Sequence, residues 1–172
     1  RSAGRAASRP SARARSASGR RTALPGRAAT TPSPIRMERV IVDWTDADLP
    51  TAEEAGYSAG VLPLSHLVTE DHRPAGFTSG LPTLVFFYTE VDEEKALTFE
   101  DRVFGDERVG ISSRFFNCVR ICLDDIPSES VRRQYTSGKG PAIFVLDAAG
   151  KQLKRWVGWK TSGARLYATM AS

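Results

Sequence analysis

Cysteine, acidic residues near the amino terminus and long apolar runs are what this sequence has least of. Only Cys118 and Cys122 occur in 172 residues, which is too few for a disulfide scaffold and more typical of a reducing compartment. No segment approaches the roughly 18 consecutive apolar residues that span a bilayer, and no apolar stretch marks a secretory signal. The length and an apolar share of 41% predict one soluble globular domain.

Charge is distributed unevenly along the chain. Residues 1–36 carry nine Arg and no Lys, Asp or Glu, whereas residues 37–172 carry 15 basic and 20 acidic residues. The net charge of +4 is therefore the sum of a +9 segment and a −5 segment. A domain that holds phosphates by electrostatics normally has a basic excess. We therefore expect any nucleic-acid binding to be confined to residues 1–36.

The basic segment has only two large apolar residues, Leu24 and Ile35. It cannot form a core, so we expect a disordered tail over residues 1–36 unless a partner orders it. Four interpretations stay open: an extension upstream of a true start at Met37, an organellar transit peptide, an arm that binds RNA or another polyanion, and a solvated tail. A start near Met37 predicts a cytoplasmic protein, and a transit peptide predicts a mitochondrial or plastid one.

The rest of the chain divides into an amino-terminal extension, residues 37–80, and a region of alternating strands and helices, residues 81–172. In the extension, residues 39–50 predict a short strand. Two helical pieces follow, the second from about Pro63 to His72. The loop after them is rich in proline and glycine and should be exposed.

The strongest strand signal is Thr83 to Thr89, whose β-branched and aromatic residues predict a central strand buried on both faces. A helix follows, with Asp92 as its N-cap, Gly105 at its end and Leu97 on its predicted apolar face. Residues 106–125 then predict a second helical piece and another strand.

Three elements complete the chain. A short helix is expected from Ser128 to Tyr135, and a β-hairpin after Pro141 should turn at Asp147 to Gly150. The last helix is expected from about Ser162 to Met170. The predicted order is strand, helix, strand, helix, strand, strand, helix.

That order, with a buried strand feeding a helix and a Gly-Pro before a closing hairpin, resembles the thioredoxin-like fold. The resemblance covers about Leu81 to Met170. The segment KGPAIFVLDAAGKQLKRWVGW is similar to the stretch around the family's cis-proline and would place Pro141 there. It implies an α/β three-layer sandwich, in which helices flank a central mixed sheet.

Redox-active members of that family carry Trp-Cys-x-x-Cys at the start of the helix after the central strand, where the helix dipole activates the first thiol. In TLVFFYTEVDEEKAL, Val91 matches the tryptophan, and Asp92 and Lys95 match the two cysteines. The family's buried acid on the central strand falls at Phe86, which cannot titrate. We therefore expect neither dithiol exchange nor peroxiredoxin-type chemistry at this helix.

The two cysteines of the chain lie elsewhere, in the predicted strand over residues 115–125. Four residues of extended chain separate the Cα atoms of Cys118 and Cys122 by roughly 13 Å, which exceeds the limit of about 7 Å for a disulfide. We expect both to be small buried apolar residues.

The histidines and tryptophans give weaker signals. His66 and His72 are six residues apart and would not share a face of a helix. We therefore predict no metal site, and no motif implies another cofactor. Of Trp156 and Trp159, one is expected in the core and the other as an exposed contact residue.

The sequence therefore predicts a thioredoxin-like domain without dithiol activity that acts as a protein-binding or structural module, within a larger assembly. Its cis-proline loop would pair with an extended protein or peptide partner. The predicted binding pole consists of Val91, Asp92, Lys95, Gly140 and Pro141. Two alternatives stay open: a thioredoxin-family oxidoreductase that uses one displaced cysteine, and polyanion binding through the tail.

Overall fold

The computed structural model describes residues 40–49, 64–69, 73–136 and 140–172. The chain divides into two units, Arg1–Met37 and Glu38–Ser172, and all described residues belong to the second. The predictions for the tail, for the first helical piece of the extension and for His72 lie outside the described residues. Within the described ranges, no helix has both the length and the apolar character that crossing a membrane requires.

A mixed sheet organises the described residues. Its strands are β1 (Thr45–Asp46), β2 (Thr83–Tyr88), β3 (Asn117–Cys122), β4 (Ala142–Leu146) and β5 (Gln152–Val157). They lie in the order β1-β3-β2-β4-β5. The first three strands run parallel, and β4 runs antiparallel to both β2 and β5.

Helices cover both faces of this sheet. They are α1 (Glu93–Phe104), α2 (Glu107–Ser113), α3 (Glu129–Thr136) and α4 (Gly163–Met170), with a 3-10 helix at Leu64–Val68. One core cluster joins the sheet to the 3-10 helix and α3, and the other joins it to α1, α2 and α4. This arrangement confirms the predicted three-layer α/β sandwich around a mixed sheet.

Strand β2 lies at the centre of the sheet, as its composition predicts. Val85 and Phe87 face one core cluster, while Leu84 and Phe86 face the other. All four side chains are buried, because successive residues of a strand point to opposite faces and both faces are covered here.

The predicted ends of α1 are confirmed. The side chain of Asp92 accepts a hydrogen bond from the backbone N–H of Lys95, and the N–H of Gly105 closes the other end by donating to Asp101 and Glu100. The prediction for Leu97 is wrong, because its side chain is 61% exposed. The buried face of α1 is instead formed by Phe99, Val103 and Phe104, so the apolar stripe is narrower than the sequence indicates.

The extension joins the domain differently from the prediction. The strand over residues 39–50 shortens to β1, which pairs in parallel with Val119 and Arg120 at the edge of the sheet. The helix expected to reach His72 is a 3-10 helix that ends at Val68, where Thr69 donates from its backbone N–H to the carbonyl of His66. Leu64 and Leu67 are buried in the first core cluster, so these two residues anchor this part of the extension.

Candidate functional site

A cavity of about 490 Å³ lies at the edge of the sheet where the parallel strands β2 and β3 end. The segment after β2 contributes Thr89, Val91 and Asp92, and the segment after β3 contributes Leu123 and Asp124. Ligand sites of open α/β sheets form at such edges, because the chain leaves parallel strands there and opens a crevice.

The opposite wall comes from the second half of the chain. Helix α3 contributes Glu129, Arg132 and Thr136, while Gly140 and Trp159 come from the two ends of the β-hairpin region. We call this cavity, with the residues named for its two walls, the carboxyl-edge groove. A second cavity of about 410 Å³ adjoins it and shares Asp92 and Trp159.

Asp124 shapes the wall that follows β2. Its carboxylate accepts hydrogen bonds from the Thr89 hydroxyl at 3.1 Å and from the Glu90 backbone N–H at 2.9 Å. The Val91 backbone N–H donates in turn to the hydroxyl oxygen of Thr89 at 3.3 Å. This network turns the chain so that the Val91 side chain is 84% exposed beside the groove. An apolar side chain so exposed at a cavity is available for contact with a partner.

Asp92 and Lys95, the residues predicted to stand at the cysteine positions of the family motif, form an ion pair. Hydrogen bonding between the two side chains lowers the pKa of the Asp92 carboxyl and raises the pKa of the Lys95 ammonium. Both side chains reach solvent, so the pair contributes little to stability. The structural role of Asp92 is to cap α1, and with Lys95 it keeps this end of the helix polar.

Gly140 and Trp159 are packed together at the other side of the groove. Gly140 has φ +90°, and a Cβ atom there would lie 2.7 Å from Nε1 of Trp159. The indole also makes an edge contact with the Phe99 ring at a centroid distance of 5.7 Å, and Arg102 donates to the Trp159 carbonyl. Glycine at position 140 therefore lets the indole lie directly against the backbone.

Arg132 brings a positive charge to this groove. Its Nε atom is buried and has no hydrogen-bond partner among the described residues. The Arg132 backbone is held in the helix by its N–H bond to Ser128 and by the Thr136 hydroxyl on its carbonyl. The backbone is thus fixed while the guanidinium Nε lacks a protein acceptor in the described structure.

The structure brings together most of the predicted binding pole. Val91, Asp92 and Gly140 line the carboxyl-edge groove, and Lys95 lines the adjoining cavity. Pro141 is buried behind them, where its carbonyl accepts a hydrogen bond from Gly158 at 2.7 Å. Pro141 supports the loop and does not line either cavity.

Sequence reasoning missed the wall formed by α3 and by the segment after β3. Asp124 had a usable signal, because it directly follows a predicted parallel strand. No sequence signal indicated Arg132. The residue pattern of α3 predicts which side chains face the core, but it does not predict which groups lie across the groove. The two tryptophans also differ from expectation, because Trp156 and Trp159 are both half-buried against the second core cluster.

The two thiols are far from an activated state. Both lie in strand β3, so their extended spacing of roughly 13 Å prevents a disulfide between them. Burial, assisted by the charge of Asp43, raises the pKa of Cys118 to about 12. Burial also raises the pKa of Cys122, against hydrogen bonds from the backbones of Asp124 and Asp125. Nucleophilic chemistry needs the thiolate, so these environments oppose the use of either cysteine as a displaced active-site thiol.

The buried thiol of Cys118 predicts an alkaline loss of stability. The unfolded thiol ionises near pH 8.5, whereas the folded thiol, with its pKa raised to about 12, keeps its proton. The contribution of this thiol to the free energy of unfolding is complete below the pKa of the unfolded state. It falls as the pH rises toward the pKa of the folded state. The advantage of wild type over Cys118→Ala should shrink between about pH 8 and pH 10.5, approaching about 1.4 kcal/mol per pH unit. Urea denaturation at each pH measures it, and a constant difference would contradict the prediction.

Comparison with known proteins gives structural similarities at low sequence identity. No family model and no curated protein matches the chain. One similar solved structure is an uncharacterized thioredoxin-like protein from Clostridium perfringens, with 12% identity, a TM-score of 0.42, and coverage of 83% of this chain and 89% of that one. Another is a DsbH oxidoreductase, with 18% identity, a TM-score of 0.38, and coverage of 73% and 82%. By its own sheet order, strand directions and layers, this chain has a thioredoxin-like fold.

Proposed function

We propose that this chain is a non-redox binding module that holds an extended peptide segment of a partner protein in the carboxyl-edge groove. The observation that carries the proposal is the backbone of Gly140 at the groove. No described residue forms a backbone hydrogen bond with its N–H or its carbonyl, although Gly140 lines the cavity. An extended peptide can satisfy such groups with main-chain hydrogen bonds.

The side chains around Gly140 suit a peptide rather than a small polar solute. Val91 offers exposed apolar surface, and Trp159 offers a half-buried aromatic face. Interfaces commonly use an aromatic anchor of this kind with a polar rim, and here Asp92, Asp124 and Arg132 supply the rim. The adjoining cavity continues the same surface past Trp159, which gives an extended chain room beyond one residue.

The sequence supports the non-redox part of the proposal. Asp92 and Lys95 stand where dithiol members have cysteines, and the two native thiols are kept protonated by burial. Loss of the dithiol leaves the backbone of the Gly140-Pro141 loop in place, because that backbone is held by β4 and by the Gly158 hydrogen bond. Peptide binding through the loop does not depend on a thiol.

Binding should be weakened by a polar substitution at Val91. The full chain, labelled with ¹⁵N, would be titrated with heptapeptides selected from a random display library and capped at both ends. We expect shifts of the Gly140 amide, the Val91 amide and the Trp159 indole N–H. Val91→Gln should weaken binding by about five- to tenfold, because the apolar contact is lost.

Leu97→Gln is the matched control. Leu97 is also a large exposed apolar residue, but it does not line the groove, so this variant should bind as wild type does. Peptide shifts confined to the opposite edge of the sheet, around Phe116 and Asn117, would contradict the proposal. So would insulin reduction by dithiothreitol that wild type accelerates and that Cys118→Ser or Cys122→Ser abolishes.

A further inference from the structure

We propose that the carboxyl-edge groove selects a peptide with an acidic side chain, whose carboxylate pairs with Arg132. This inference rests on the proposed peptide-binding function and names the chemistry that the peptide must carry. It starts from the buried Nε atom of Arg132, for which the described structure provides no hydrogen-bond acceptor.

The other charged side chains of the groove are already partnered. Asp92 pairs with Lys95, and Glu129 pairs with Arg133 one turn along α3. Asp124 accepts hydrogen bonds from Thr89 and from the backbone of Glu90. Among the described residues that line the groove, Arg132 is therefore the charged group that still lacks an acceptor.

A single carboxylate would supply the acceptor that Arg132 lacks among the described residues. Because Nε itself is buried, the carboxylate would pair with the two terminal Nη nitrogens, which offer parallel N–H donors, and the charge makes these hydrogen bonds stronger than neutral ones. The three carboxylates that line the groove, those of Asp92, Asp124 and Glu129, would repel a doubly charged phosphate more than a singly charged group.

The carboxylate is assigned to a side chain rather than to a peptide terminus. The groove and the adjoining cavity share Asp92 and Trp159, so a bound chain can continue past the groove instead of ending in it. An internal Asp or Glu residue then reaches Arg132 while the peptide backbone lies beside Gly140.

Four heptapeptide pools test the assignment on the full ¹⁵N-labelled chain. Three are acetylated and amidated at their ends, carry glutamate, glutamine or phosphoserine at the centre, and are random at the other six positions with Asp and Glu left out. The fourth has central glutamine and a free carboxyl terminus. Shifts of the Gly140 amide and the Trp159 indole report binding. The glutamate pool should bind at least about tenfold more tightly than the capped glutamine pool, since a charged hydrogen bond is lost in the latter.

Variants of the protein identify the residue that is responsible. Arg132→Gln should abolish the preference for glutamate, and Arg132→Lys should keep only part of it because the forked donor is lost. Arg165→Gln is the control: it removes the same charge from an exposed position on α4 that does not line the groove, and the preference should remain. If Arg132→Gln does not fold, the lysine variant and the peptide pair carry the test.

Each result separates this inference from the proposed function. Equal binding of the glutamate and capped glutamine pools, with shifts at Gly140 and Trp159, would overturn the role of Arg132 and leave peptide binding standing. Tighter binding of phosphoserine, or of the pool with a free carboxyl terminus, would overturn the assignment to a side-chain carboxylate. Absence of shifts with all four pools would overturn the proposed function itself.

Discussion

Replacing Phe86 with aspartate is expected to unfold the domain at neutral pH. Phe86 lies on the central strand, where the resemblance predicts the family's buried acid, and it is only 2% exposed. Its ring contacts four others at centroid distances of 4.9–6.1 Å, namely those of Trp44, Tyr88, Phe99 and Phe104. An aspartate at this position would therefore be surrounded by aromatic rings.

The expected loss of stability is comparable to the whole unfolding free energy of a typical domain. Truncation of a buried phenylalanine to alanine removes about 3–5 kcal/mol, and an unpaired buried carboxylate adds several more. The total approaches or exceeds a typical unfolding free energy of about 5–15 kcal/mol. Phe86→Ala should therefore remain folded with reduced stability, whereas Phe86→Asp should lose its native circular dichroism.

The effect of Phe86→Asp should depend on pH. Burial raises the pKa of a carboxyl above its unfolded value of about 3.9. The penalty for the charge is therefore complete above the raised folded pKa and declines as pH falls toward the unfolded one. Phe86→Asn has a similar shape and does not titrate, so the stability gap between the two variants should narrow from about pH 7 to pH 4. An Asp variant as stable as Phe86→Leu at neutral pH would contradict this account.

Phe86 also shows why so much of the fold can be predicted from the sequence. The run from Thr83 to Thr89 does not alternate between apolar and polar residues, as a strand with one solvent-exposed face does. It therefore predicts a strand that is covered on both faces. Asp92 marks the start of α1 because its side chain accepts from the Lys95 backbone N–H, an interaction between residues that are close in the sequence. The sequence was less informative at residues 39–50, of which only β1 pairs with the sheet, and at Leu97, which lies outside the buried face of α1.

The site was less predictable because it is assembled from distant parts of the chain. Val91 and Gly140 could be placed at one pole from the resemblance, since each adjoins a recognisable strand. Arg132 and Asp124 could not, because their importance depends on which partners reach them across the groove. Pairing of Asp92 with Lys95 and of Glu129 with Arg133 distinguishes Arg132 from the other charges, and these pairs are visible only in three dimensions.

Gly140→Ala is expected to destabilise the domain by about 2–4 kcal/mol through two separable effects. The first is backbone strain, because a φ of +90° costs a residue with a Cβ atom about 1–2 kcal/mol. The second is displacement of the Trp159 indole, since the new Cβ would lie 2.7 Å from its Nε1 and 3.1 Å from its Cε2. The Trp159 ring packs edge-on against Phe99, and the Trp159 carbonyl accepts from Arg102, so the ring cannot move without losing its contact with Phe99.

Gly158→Ala separates the two effects. Gly158 has nearly the same conformation, with φ +81°, but apart from its two chain neighbours a Cβ atom at this position would meet nothing within 4 Å. It should therefore show the backbone strain alone, a loss of about 1–2 kcal/mol. Urea denaturation gives both losses, and the indole N–H signal of Trp159 should shift more in Gly140→Ala than in Gly158→Ala. Because Trp159 lines both cavities, peptide binding should weaken only in the Gly140 variant. Equal losses of stability and unchanged binding would mean that close packing of Trp159 on Gly140 does not shape the groove.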